Sequence, residues 1–157
     1  MTDGTETFEA DIGKFAKLLE LRTDVVLQRL ALDIMGRIVL RTPVDTGRAR
    51  SSWDMSIGAP SDYVPPERNA SLSKIGPQSF TMSSDAGGAV DSKALGTAQG
   101  ITAKQPVFIV SNLDYIEALE NGHSKQAPVG MVVISLAEVE AEIELLLAKA
   151  IADTPNP

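Results

Sequence analysis

Polar and apolar positions along the chain change period several times, and each change marks an element. Phe8, Ala10 and Ile12 alternate with Glu9 and Asp11, a period of two that fits a short strand or a lead-in. From about Ile12 the period is helical: Phe15, Leu18, Leu19, Val26, Leu30, Ile34 and Ile38 recur mostly at intervals of three and four. With Asp11 as N-cap, the pattern predicts a helix over 13–41, roughly 43 Å long at 1.5 Å per residue. That length allows a break near Arg22-Thr23. Leu32, Met35 and Val39 widen the apolar face beyond one stripe. The helix is therefore expected to meet its own sheet and something else, either more core or a neighbouring subunit.

A corner follows at Thr42-Pro43-Val44-Asp45-Thr46-Gly47. Pro43 disfavours helix at Thr42 and ends the preceding element. Asp45 can bond the backbone two residues on, and Gly47 can take a positive φ. The chain restarts with Arg48, Arg50 and the single tryptophan, Trp53. Arg50 to Gly58 reads as a strand, with Trp53, Met55 and Ile57 on one face and Ser52, Asp54 and Ser56 on the other. Residues 59–105 carry little pattern and much Pro, Gly and Ser, with a short helix near Ala89–Thr97. Such a segment within one domain is functional or mobile by expectation.

Val107-Phe108-Ile109-Val110 is the clearest strand, and four consecutive apolar residues suggest burial on both faces. Asn112 ends it. Asp114–Asn121 has a short helical pattern with Tyr115, Leu119 and Ile116 inward, and Gly122 is placed to cap it. A loop with Pro128 leads into the last helix, where Val132, Leu136, Val139, Ile143, Leu146 and Ala150 step by four and three. Ser135 and Glu138 have capping-box spacing, which would start that helix at 136. The stripe reaching back to Val132 favours an earlier start. The whole reads as α+β: a long N-terminal helix and a C-terminal helix packed on a small, mostly antiparallel sheet, with a long irregular middle segment. One domain over 1–157 is expected, with 59–105 a loop or arm inside it.

Composition narrows the chemistry. The chain has 157 residues, enough for one buried core. It has no cysteine, which excludes disulfides, thiolate metal sites and a cysteine nucleophile. The start is acidic and polar, without the basic and apolar runs of a secretory signal, and no apolar stretch is long enough to span a membrane. The net charge is −7. Residues 1–50 are balanced, with eight acidic and eight basic side chains, so the excess lies in 51–157. An acidic surface repels phosphate, which argues against nucleic-acid affinity and suits a surface that DNA passes without sticking.

Candidate catalytic groups are few. Glu120 and the single histidine, His123, stand three apart and would serve as an acid–base pair or as two metal ligands. Gly122 falls between them and a third partner is missing. No nucleophile elbow, phosphate loop or dinucleotide fingerprint is present. No catalytic residue, metal site or cofactor is expected. Arg48 and Arg50 either clamp a partner subunit's carboxylate or solvate the strand's outer face.

Two blocks stand out together. One is Arg41-Thr-Pro-Val-Asp-Thr-Gly-Arg48 followed by Ser51-Ser52-Trp53. The other runs from Val110-Ser-Asn112-Leu-Asp-Tyr115 through Leu119-Glu120-Asn-Gly122-His-Ser124-Lys-Gln126-Ala127-Pro128 to Gly130-Met131. In order and spacing this pairing resembles the tail-completion or neck proteins of tailed bacteriophages, including minor tail protein Z and its relatives. The resemblance covers roughly 8–58 and 105–150. Leu113-Asp114 departs from it where relatives often carry a proline.

The resemblance implies a virion protein without enzyme activity at the head–tail junction, made in the host bacterial cytoplasm. It implies a homo-oligomeric ring, hexameric by expectation, contacting neighbouring neck and tail proteins while genomic DNA passes through without specific binding. Pro43, Asp45, Thr46, Gly47, Asn112, Gly122 and Pro128 would shape its turns. Ring subunits need two complementary patches. Arg48, Arg50, Trp53, Tyr115, Glu120 and Gln126 are the candidates, with core packing the competing role for Trp53 and Tyr115. Some of the excess carboxylates would line the channel, and the middle segment would fold onto the next ring. A tail terminator or head-closure ring is the near alternative. A small hydrolase using Glu120 and His123 is the remote one, and a host adaptor domain sharing only the corner is another.

Overall fold

The computed structural model describes residues 4–45, 47–65 and 92–152, with the backbone path alone for 4–22, 146, 147 and 149–152. The order is α1 (Gly4–Arg41), α2 (Arg48–Ser51), β1 (Asp54–Ile57), α3 (Ser92–Gln99), β2 (Val107–Val110), α4 (Ile116–Glu120) and α5 (Val132–Ala152). The fold is α+β. Most of the segment read as an arm, residues 66–91, lies outside the described residues.

α1 runs unbroken for 38 residues, about 57 Å. It starts at Gly4 rather than after an Asp11 cap, and it continues through Arg22-Thr23. The alternation at 8–12 is therefore helical. Five residues of alternating character span little more than one turn, which is too short to separate a period of two from 3.6. The C-terminal end at Arg41 is where Pro43 predicts it.

α1 packs against α5 and α3. The core holds Ala31, Met35, Val39 and Leu40 of α1, Met55 of β1, Ala94 and Ala98 of α3, and Ile101, with Leu27, Leu32, Trp53, Ile57, Val107 and Ile109 leaning on it. Small residues on α3 let that short helix approach α1 closely.

β1 and β2 form a two-stranded antiparallel sheet with Met55 opposite Ile109 and Ile57 opposite Val107. The odd-numbered residues face the core as the alternation predicts. The strand predicted from Arg50 is shorter, because Arg48–Ser51 makes a helical turn first. β2 is half-buried along its whole length instead of buried on both faces. Its even-numbered residues, Phe108 and Val110, lie on the face away from the core.

α5 begins at Val132, so the earlier start is right. The Ser135–Glu138 capping box does not form: the Ser135 hydroxyl donates to Met131 O at 2.6 Å and Glu138 reaches α1. The inward stripe is Met131, Ser135 and Val139, all buried. Leu136 and Ile143, predicted inward, are 46% and 39% exposed. No described helix is long and apolar enough to cross a membrane.

Candidate functional site

The corner is built where α1 ends. Thr42 closes the last turn, its N–H and hydroxyl both donating to Ile38 O at 3.0 and 2.7 Å. Pro43 has no N–H with which to continue. The carbonyls left over at a helix C-terminus need donors. Arg50 supplies them: Nε donates to Thr42 O and Nη2 to Leu40 O, each at 3.1 Å. Its side chain is buried, and burial pulls its pKa below the ordinary arginine value. Arg50 therefore holds the corner from inside; neither sequence-level role for it, solvating a strand face or clamping a partner, matches that position. Trp53 joins the same cap, Nε1 donating to Thr42 Oγ1 at 2.8 Å. Gly47 sits at φ +82° as the N-cap of α2, the left-handed conformation expected of it.

The second block is a closed loop between α4 and α5. α4 ends in a Schellman arrangement: His123 N–H donates to Ala118 O, and Gly122 N–H to Leu119 O, each at 3.1 Å, with Gly122 at φ +81°. Glu120 then turns its carboxylate onto the start of α5. Oε2 accepts from the N–H of Met131 and Val132 at 2.7 and 2.9 Å, and Oε1 accepts from Val133 N–H at 2.9 Å. These are the unpaired donors of a helix N-terminus, where negative charge is favoured. Burial alone would raise the Glu120 carboxyl; the three N–H groups outweigh it and hold the pKa below the usual glutamate value. Gly130 is required here, since a Cβ would sit 2.5 Å from Glu120 O.

Gln126 joins the two blocks. Its Oε1 accepts from Val44 N–H at 3.1 Å and its Nε2 donates to Val44 O at 3.3 Å. The side-chain amide thus satisfies both backbone groups of the residue at the middle of the corner, 82 positions away. A cavity of about 350 Å³ lies between corner and loop, walled by Leu40, Arg41 and Thr42 on one side and Ala127–Gly130 and Ile134 on the other.

Behind it, α1 and α5 are tied by charge. Arg37 is 2% exposed and donates to Asp33 Oδ2 at 3.1 Å, Glu138 Oε2 at 2.9 Å and Glu142 Oε2 at 2.7 Å. Arg41 bridges to Glu138 Oε1 at 2.5 Å. Burial raises the Asp33 carboxyl above the usual aspartate value despite the opposing pull of Arg37. Asp33 Oδ1 is buried without a hydrogen-bond partner. A further pair fixes β1: the Asp54 carboxylate meets Lys93 Nζ at 2.8 Å and the Ser61 hydroxyl at 2.5 Å, and Lys93 stands 4.9 Å from the Tyr63 ring.

Gly47 and Gly122 take the left-handed conformation their turns require, and Thr46 lies outside the described residues. Asp45 and Pro128 are exposed, and Pro43 is half-buried. Asn112 does more than end β2, donating from Nδ2 to Ser61 O and Tyr63 O at 2.9 and 3.0 Å. Among the interface candidates, Glu120, Gln126, Arg50 and Trp53 make the intramolecular bonds described above. Arg48 is half-buried. Tyr115, predicted inward on α4, is 40% exposed.

Glu120 and His123 are not brought together as a reacting pair. Both carboxylate oxygens of Glu120 are held by backbone, and His123 Nδ1 lies 2.9 Å from Ala118 O. No cluster of three metal-binding side chains occurs among the described residues. The charge network joins residues about a hundred positions apart, which no local motif marks. Its signal is the spacing of Asp33, Arg37 and Arg41 on one helix against Glu138 and Glu142 on the other, both sets at intervals of four.

Comparison with protein-family models, curated proteins and solved structures gives no match.

Proposed function

We propose that this chain is a structural protein of the tailed-bacteriophage neck, a tail-completion or head–tail joining component that assembles as a ring around the DNA channel. The reading rests on the resemblance of its two sequence blocks to that family. The observation that most supports it is the Gln126 amide held on Val44. Blocks far apart in the chain form one structural unit, as expected if the joint pattern encodes a shared fold rather than a coincidence of short motifs.

The polar groups also favour a scaffold. Glu120, Arg50, Asn112 and Gln126 satisfy backbone atoms, and those bonds hold a corner and a loop in fixed relation. A ring subunit needs such rigidity, because its two contact patches must keep a constant angle for the ring to close.

Complementation tests the reading. A phage carrying a stop codon in this gene is supplied with the protein in trans. Wild type and His123→Ala should restore equal plaque titres. Rescue by wild type but not by folded His123→Ala would overturn the scaffold reading in favour of chemistry at that residue.

A further inference from the structure

We infer that the outer edge of β2 pairs, antiparallel and two-fold symmetric, with β2 of a second copy of this chain. The ladder fixes which groups point outward. Gly58 N–H donates to Pro106 O at 2.8 Å, and the register places Ser56 opposite Phe108 and Asp54 opposite Val110. Alternation in an antiparallel pair makes these the hydrogen-bonded positions. The N–H and C=O groups of Val107 and Ile109 therefore point away from β1. Among the described residues no segment pairs with them.

The other edge of the sheet is in a different condition. α3 packs against β1. The edge of β2 lacks most of the devices that keep strands apart. Pro106–Ser111 carries no charge. The nitrogen of Pro106 faces β1, so its missing N–H does not blunt the outer side. Only the four-residue length of the strand limits addition.

Symmetry and parity identify the occupant. Two strands alone are marginal, and a sheet gains stability from further strands or from packing on a helix, as β1 packs on α3. A second β2 completes a four-stranded sheet. Outward groups belong to odd-numbered residues, so pairing must match odd with odd. The register centred on Phe108 sets Val107 against Ile109 of the second copy, and the reverse, for four hydrogen bonds. It leaves the two Phe108 side chains directly opposite in a close pair, about 4.5 Å between Cα atoms. The uncharged strand meets itself without like-charge repulsion. A two-fold contact closes on itself, which protects the edge from open-ended strand addition.

The experiment uses the full chain and does not depend on the neck-protein reading. Mass is measured across a concentration series, with residue-resolved amide exchange at each end. The expected result is a doubling of mass on concentration, with Val107 and Ile109 amides gaining protection in step while Phe108 and Val110 amides are protected throughout. Phe108→Lys and Phe108→Glu, each shown folded by thermal unfolding, should stay at single mass alone and recover the doubled mass when mixed. The inference is overturned by single mass at every concentration, by association without added protection at Val107 and Ile109, by undiminished pairing of Phe108→Lys, or by failure of the mixed variants to pair. Protection at single mass would assign the edge to another segment of this chain and overturn it too. A closed ring with unprotected β2 amides would end this inference and leave the proposed function standing.

Discussion

Removing the Glu120 carboxylate tests how the loop organises α5. In Glu120→Ala, three N–H groups at the start of a 21-residue helix lose their acceptor. Loss of an N-terminal cap costs about 0.5–2 kcal/mol, and loss of a negative charge at a helix N-terminus adds about 0.3–1 kcal/mol at a partly exposed site. Water can reach part of the end, so the sum falls at about 1–3 kcal/mol. A chain of this size loses about 2–4 °C per kcal/mol, so the midpoint should fall by about 2–12 °C at pH 7. The pH dependence carries the stronger test. A carboxyl whose folded pKa is depressed contributes stability above its unfolded pKa and loses it as pH falls through the folded value. The gap between wild type and Glu120→Ala should therefore close through and below the ordinary glutamate range. Glu120→Gln, which keeps an acceptor oxygen without charge, should fall between them at pH 7. Thermal unfolding by circular dichroism at pH 7 and pH 3 measures this. Equal midpoints at pH 7, or a gap that persists unchanged at pH 3, would refute the capping role.

Gly130→Ala forces a side chain into the left-handed region and 2.5 Å from Glu120 O, so denaturant unfolding should show a loss of at least about 2 kcal/mol. Arg37→Ala leaves Asp33 buried without its cation, at a cost of about 3–5 kcal/mol. Adding Asp33→Ala should recover part of that loss, and a double variant no more stable than the single one would deny the coupling. Asp33 has the opposite pH sign to Glu120. Its folded pKa is raised by burial, so its contribution is greatest below the ordinary aspartate value and is lost as pH rises through the folded value. Urea unfolding between pH 4 and pH 8 should show wild type losing ground to Asp33→Asn as pH rises.

The punctuation of the chain was legible because each signal acts locally. Pro43 ends α1, Gly122 caps α4, and the β-branched run at 107–110 makes a strand. The misses arise where a distant partner decides. Arg50 looked like a strand residue because Trp53, Met55 and Ile57 alternate. Its place was set instead by the unmet carbonyls of Leu40 and Thr42. Val139 can belong to either of two faces of α5, one shared with Leu136 and Ile143 as the stripe has it and one shared with Met131 and Ser135. Periodicity alone cannot choose between them. The choice turns on Glu138 and Glu142 meeting Arg37 and Arg41, which places 131, 135 and 139 inward. The corner and the loop were each visible in the sequence, but their junction through Gln126 and Val44 was not, because neither residue type signals a contact at that range.

Electron microscopy of lysates from phage carrying a stop codon in this gene tests the proposed role most directly. The account predicts DNA-filled heads and finished tails lying separate, because the part that joins them is missing. Complete, infectious particles assembled without the protein would contradict it.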